Sequence, residues 1–406
     1  MKLVFLFAKK YFFSRGTTNA INLISGVSVL GIVVGSAGLI LVLSVFNGFE
    51  DLVISLYNKF YPELVVMPAE GKTFVVDSMM LSKIKSVAGV RDVALSLEEN
   101  ALVKFGKNQV VATVKGVDTH YAEVSGIPST IIRGKYFIDN NQTAVIGLGV
   151  ESFLAVDVND PLAEISILVP KPVHSGSILD NAPFAQLVMK PAGTFAIQQD
   201  FDSKYVFVSL AAARQLLNRE GQAGQIEIAL NKNIRVSDVQ EKIKSICGAR
   251  FIIKNRIQQN SVLYQIMTVE KWATYAVLTF ILIVAAFNMI GSLSMLVIEK
   301  RHDMAIVQAM GGTKKTVRNI FIAEGVALSL FGCLIGFLIS SLLCVLQQQF
   351  GWLKMGGETF VINMYPVAMR ASDFILVLLT VLVIGFLASW LPAARASKGS
   401  RQLMLY

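Results

Sequence analysis

Residues Ala309–Thr316 read AMGGTKKT and put two glycines beside two lysines, the raw material of a loop that cradles phosphate. The spacing does not fit G-x-x-x-x-G-K-[ST], and no strand precedes it, so the glycines read as the stop of a helix. The three histidines, His120, His174 and His302, are far apart and outside any H-E-x-x-H or Cys/His grouping, so no metal site is expected. No serine sits in a G-x-S-x-G elbow, and the apolar runs hold no carboxylate pair or arginine series able to couple ion movement. Cys333 and Cys344 lie in an apolar run, which leaves Cys247 without a partner and gives no disulfide framework. The sequence therefore predicts a chain that catalyses nothing and holds no cofactor, its energy coming from a partner.

Such a chain must do its work through the elements that cross and flank a membrane. With 54% hydrophobic and 16% charged positions in 406 residues, it is part membrane and part water-exposed. Four charge-poor runs are long enough to cross, given the roughly 20 apolar residues a bilayer requires. They are read as spans over residues 21–49, 269–298, 319–347 and 373–394. The segment before the first, Lys2–Arg15, mixes Phe and Leu with Lys9 and Lys10 and reads as an interfacial helix within a leading segment 1–20. The first span is too long for a signal peptide and is expected to stay. The net charge of +9 gathers at span ends, which argues for membrane topology and against nucleic acid. Basic residues before span one, between spans two and three (299–318) and after span four (395–406) place those segments and both termini in the cytoplasm. Residues 50–268 and the short loop 348–372 then face out.

The long insertion reads as α+β. Runs such as ELVVM, QVVATVKGV, AEISILV, YVFVSL, QIEIAL and RFIIK are strand-like, and MLSKIKSV and VSDVQEKIKSI are helical. The closing strand–helix–strand, Gln225–Lys254, is expected to pair back with the strands after span one, giving two subdomains. The fold class is thus a multi-pass α-helical membrane protein of four transmembrane helices with a large α+β extracytoplasmic domain between helices one and two. Asn288, a polar group in span two, should find a hydrogen-bond partner on a neighbouring helix, a structural role whose alternative is a place on the substrate path. Gly31/Gly35 and Gly332/Gly336 form G-x-x-x-G pairs, which serve either a seam within one subunit or a contact between two.

The stretch VAAFNMIGSLSMLVIEKRHDMAIVQAMGGTKKTVRNIFIAEGVALSLFGCLIG resembles the second and third spans of the LolC/LolE-type lipoprotein-releasing permeases, an ABC transporter branch that includes MacB-type and FtsX-type proteins. The likeness recurs in LGIVVGSAGLILVLSVFNGFE, TAVIGLGVESFLAV, PAGTFAIQQDFDSKYVFVSLAAARQLL and ASWLPAARAS. It implies a bacterial inner-membrane permease subunit that pairs with a second permease, identical or related, and with two ATPase subunits that bind the ATP and magnesium. It further implies lipoproteins drawn from the outer leaflet and passed to a periplasmic carrier. A MacB-type efflux permease and an FtsX-type permease that transmits motion to a periplasmic partner are the alternatives. The resemblance makes Glu299–Gly312 the helix that couples to the ATPase, with Glu299, Lys300, Arg301 and Asp303 near its start, Met304, Val307 and Met310 as its apolar face, and Gly311 and Gly312 as its stop. By position, the loop Val169–Gln186, with Pro170, Pro172, His174, Ile178, Pro183 and Phe184, matches the loop with which one type of these permeases grips its carrier, while the other type has a loop of similar length without that task. The acyl chains would lie against Val45, Phe46 and Phe49 of span one and Trp272, Thr279, Phe280 and Ile283 of span two.

Overall fold

A computed structural model describes residues 19–136, 142–171, 184–354 and 364–399. In chain order it contains α1 (Asn19–Phe60), β1 (Leu64–Pro68), β2 (Phe74–Val75), α2 (Ser78–Lys85), β3 (Val90–Phe105), β4 (Asn108–Val117) and α3 (Tyr121–Val124). There follow β5 (Ile131–Gly134), β6 (Thr143–Gly147), α4 (Leu148–Leu154), β7 (Ile165–Pro170), β8 (Phe184–Phe195), α5 (Gln199–Asp202), β9 (Tyr205–Ser209) and α6 (Leu210–Leu217). The rest comprises β10 (Gln222–Ala223), β11 (Gln225–Leu230), α7 (Val236–Cys247), β12 (Phe251–Asn255), α8 (Arg256–Gln259), α9 (Ser261–Glu299), α10 (Arg301–Ala309), α11 (Lys314–Phe350) and α12 (Ala371–Gly399). Two compact units result. Within the described residues, one holds α1 as far as Leu52 together with the chain from Gln265 on, and the other holds Val53–Tyr264.

In the first unit, α1, α9, α11 and α12 are long and apolar enough to cross a membrane. They pack around Leu39, Leu43, Leu282, Met289, Cys333 and Val377. Both G-x-x-x-G pairs are spent inside this bundle. A Cβ built on Gly35 would come within 2.6 Å of Leu282 on α9, and one on Gly336 within 2.1 Å of Ser36 on α1, so only glycine permits these approaches. The helices outrun the charge-free stretches that announced them. α1 continues to Phe60 and α9 begins at Ser261, and α11 starts at Lys314 with Glu324 buried within it.

The second unit is built on one long strand. β3 pairs with β4 from Ser96 to Phe105, and its two halves serve two different structures. Its first half pairs with β11, and β1 lies between β11 and β12, so the strand–helix–strand after residue 224 does join the strand that follows α1. α2 and α7 cover this antiparallel sheet, with Ile84, Val239 and Ile243 buried among Val66, Ile226 and Ile228. Asp77 caps α2 by accepting from Met79 N at 2.9 Å.

Its second half closes a ring of six strands. Going round, β3 pairs with β4, β4 with β9, β9 with β6, β6 with β8, β8 with β7, and β7 returns to β3 through Leu102↔Leu168. Ala101, Val103, Ile146, Ile165, Ile167 and Val206 belong to the core of this ring. β3 was not among the expected strands, because Glu98, Glu99 and Asn100 interrupt its alternation of apolar and polar residues. Glu98 is spent in an ion pair with Lys115 of β4, and Asn100 accepts a hydrogen bond from Thr113.

Candidate functional site

The turn between α9 and α11 is where the sequence placed the coupling element. Lys300 breaks helical geometry after Glu299, and α10 then runs to Ala309. Gly311 ends it with a φ of +94°, a left-handed conformation that suits glycine, and Gly312 N donates to Val307 O at 2.9 Å. Thr313 then caps α11, its hydroxyl accepting from Thr316 N.

The three apolar residues of α10 do not share a face. Met304 is buried within the chain beside Val297, Val317, Phe321 and Ala393, and Val307 is buried too, whereas Met310 is 82% exposed. A spacing of three residues turns 300° on a helix, so each step drifts by about 60° and two steps carry Met310 off the first face. The outward face is instead His302, Ile306 and Met310, four residues apart. Met304 holds α10 against the membrane helices, its burial contributing about 1.5–3 kcal/mol. Arg301 is exposed on the first turn, and Lys300 lies 3.7 Å from Glu299.

At the other end of this unit, Asn47 is fully buried and ties three helices. Its Nδ2 donates to Asp373 Oδ2 at 2.5 Å and to Ala368 O at 3.3 Å, and its Oδ1 accepts from Lys271 Nζ at 2.7 Å. Arg370 adds donations to Glu50 Oε2 at 3.0 Å and Asp51 Oδ1 at 2.8 Å. The Asn47–Lys271 bond brings Trp272 to the level of Phe46 and Phe49. Leu282 lies against Gly35, so Thr279, Phe280 and Ile283 stand well along the helices from Phe49. The proposed acyl-contact residues therefore form a strip along the bundle. Phe49, Trp272, Phe280 and Ile283 are exposed on it and Val45 and Phe46 half-buried. Of the loop residues proposed to grip a carrier, Pro170 ends β7 and Phe184 starts β8, while Pro172, His174, Ile178 and Pro183 lie outside the described residues.

In the second unit, the end of α1 is fastened to the start of the helix pair α8–α9. Arg256 Nε donates to Tyr61 O at 2.9 Å and its Nη2 to Asn58 O at 3.3 Å, and it pairs with Glu63 at 3.2 Å. Gln259 Nε2 donates to Pro62 O at 3.2 Å. Phe60 stacks on Phe201 with ring centroids 4.4 Å apart and sits under Lys115, whose Nζ is 5.1 Å from its ring. Lys115 is buried between Glu227 at 2.7 Å and Glu98 at 2.9 Å. Burial pulls its pKa down, but Glu227 and Glu98 more than reverse this and leave the ammonium more basic than usual. Burial pushes the Tyr61 hydroxyl up to about 12, against the opposing pull of Lys115.

A four-helix bundle split by a two-part α/β insertion is matched by two families that tile the chain. The MacB-like periplasmic core domain matches residues 25–246, more than half of it, and the FtsX-like permease C-terminal domain matches residues 275–401. The chain belongs to the MacB/FtsX-like permeases. It is 24% identical to the lipoprotein-releasing system transmembrane protein LolE of Haemophilus influenzae over 98% of each chain. It is 22% identical to the corresponding protein LolC of Xylella fastidiosa over 96% of this chain and 95% of the relative. The pyoverdine export ATP-binding/permease protein PvdT of Pseudomonas fluorescens is 21% identical over 92% of this chain, which spans only 55% of that protein. The periplasmic region of MacB from Actinobacillus actinomycetemcomitans aligns with 53% of this chain and 98% of that one, at 11% identity and a TM-score of 0.37. As a MacB/FtsX-like permease, this is a multi-pass inner-membrane protein of the ABC transporter class, which works with an ATPase partner.

For this MacB/FtsX-like permease, sequence reasoning missed Asn47, Lys115 and Arg256. Lys271 and Asp373 were read only as the edges of charge-free runs. The available signal was the chemistry of those edges: a lysine and an aspartate at the start of two charge-free runs, with an asparagine near the end of a third, can meet at one level. Lys115 and Glu227 gave none, being 112 positions apart in strands that meet only through β3. Among the described residues no cluster of His, Cys, Asp and Glu could hold a metal ion.

Proposed function

We propose that this chain is the membrane subunit of a lipoprotein-releasing ABC transporter, drawing lipoproteins from the outer leaflet of the inner membrane and passing them to a periplasmic carrier. The observation that carries this reading is the match, over nearly the whole of both chains, to the lipoprotein-releasing proteins LolE and LolC. The exporter PvdT matches over only half its length. The termini and the α9–α11 turn face the cytoplasm, as their basic residues dictate. ATP and magnesium are bound by a separate ATPase pair, which docks on His302, Ile306 and Met310. This chain supplies no catalytic group. Motion of the docked α10 moves α9 and α11, and α1 and α9 carry it to the external unit that they enter and leave. Acyl chains lie along the strip from Phe49 and Trp272 to Phe280 and Ile283, and the loop that includes Pro170 and Phe184 meets the carrier. Affinity purification of the tagged chain from its own membrane tests the reading. A separately encoded ATPase and bound lipoprotein should co-purify; a wall hydrolase in place of lipoprotein would contradict it.

A further inference from the structure

The exposed residues Leu334, Leu338, Leu342 and Val345 run up α11 in steps of four and three, and this apolar surface stops at the exposed amides of Gln348 and Gln349. It then resumes. Phe350, Trp352 and Leu353 are 61%, 65% and 64% exposed, and the rings of Phe350 and Trp352 stack with centroids 5.9 Å apart. Gly351 closes α11 in the left-handed region at a φ of +57°, and its N–H donates to Gln347 O at 2.9 Å. The buried amide of Gln347 holds the turn that follows: its Nε2 donates to Leu353 O at 3.0 Å and Tyr365 O at 3.4 Å, and its Oε1 accepts from Leu353 N at 3.0 Å. Leu353, three residues past the helix, therefore lies back at the level of the last helical turn, with both of its backbone polar groups satisfied inside the protein. Non-helical backbone at a lipid boundary requires this.

The level of the tip is set by its neighbours. Gln348 Nε2 donates to Val367 O at 2.8 Å, and the next carbonyl, Ala368 O, accepts from Asn47 Nδ2. The tip thus stands level with the Asn47–Lys271–Asp373 clasp, whose charged groups mark the end of the hydrocarbon. Trp272, next to Lys271 in sequence, is exposed at the same level on α9. Tryptophans on separate helices at one level form the belt that sits among lipid headgroups.

We propose that Phe350, Trp352 and Leu353 form a wedge seated in the boundary between headgroups and acyl chains of the leaflet opposite α10, with the exposed Lys354 ammonium on the lipid phosphates. The rings place apolar area in the boundary while the Trp352 indole N–H stays at its wet edge. The Gly351 turn and the Gln347 amide fix the wedge in shape before any lipid meets it. This inference goes beyond the proposed function and does not rest on it, because it concerns a lipid surface and holds for either direction of insertion.

Fluorescence of the full-length chain in phosphatidylcholine vesicles tests it, with Trp352 left as the one tryptophan by Trp272→Phe and Trp390→Phe. Emission should lie at shorter wavelength than in water, and phospholipids brominated high on the acyl chain should quench it more strongly than phospholipids brominated near the chain end. Water-like emission untouched by either lipid would overturn the proposal. So would short-wavelength emission untouched by either, which would put Trp352 against protein, and so would stronger quenching from the chain end. A second reading keeps all three tryptophans: a nitroxide on Leu353→Cys, after Cys247, Cys333 and Cys344 are replaced, should be relaxed more by dissolved oxygen than by a water-soluble nickel complex. The reverse order would count against the wedge.

Discussion

Asn47 and Lys271 are joined across the first two membrane helices by a 2.7 Å hydrogen bond, and the same amide holds Asp373 of the fourth. One side chain thus satisfies a cation and a carboxylate at once. Replacing it with an apolar residue of similar size, Asn47→Leu, strands both, at about 1–3 kcal/mol for each group left unpaired. The melting temperature of the detergent-purified chain should fall clearly with Asn47→Leu and much less with Arg370→Gln, whose partners Glu50 and Asp51 lie more open to solvent. Equal melting of Asn47→Leu and the parent would show that the clasp is incidental.

The two faces of α10 separate folding from docking. Met310→Asp alters an exposed position and should leave the melting temperature within experimental scatter while the ATPase ceases to co-purify. Val307→Asp buries an unpaired carboxylate inside the chain itself and should cost about 3–5 kcal/mol of stability whether or not the ATPase is present. If Met310→Asp retains the ATPase as tightly as the parent, His302, Ile306 and Met310 are not the docking face.

Asp202, at the end of α5, accepts from Ile197 N at 2.8 Å in a buried setting. Burial, only partly offset by backbone donors at Ile197 and Gln198, pushes its carboxyl from 3.8 up to about 6. The native state therefore holds this proton more tightly than the unfolded chain. The stability this group contributes is full below the unfolded value and is lost as pH rises through about 6. Asp202→Asn, which keeps an acceptor but cannot ionise, should flatten the change in melting temperature between pH 4 and 7. An unchanged pH profile in that variant would refute the assignment.

The four spans and the mixed character of the insertion were legible because both rest on local pattern: long charge-free runs and alternation of apolar residues. What escaped was set by pairing between distant segments. β3 hides its strand character behind Glu98–Asn100, which only β4 explains, and the six-strand ring depends on β7 returning to β3. The short helix between α9 and α11 was legible in place and length, yet Met304, Val307 and Met310 do not share one face of it, since spacing by three looks periodic without holding one side of a helix. Asn288 was recognised as a polar group in need of a partner. That its side chain finds none among the described residues of its own chain is visible only in three dimensions.

The most direct measurement of the central claim is release of a labelled lipoprotein from vesicles that contain this chain. With the partner ATPase, ATP and the periplasmic carrier all present, lipoprotein should leave the vesicles bound to the carrier; omission of the ATPase, or the Met310→Asp variant, should reduce release to background. Release at the same rate without the ATPase, or no release with every component supplied, would contradict the account.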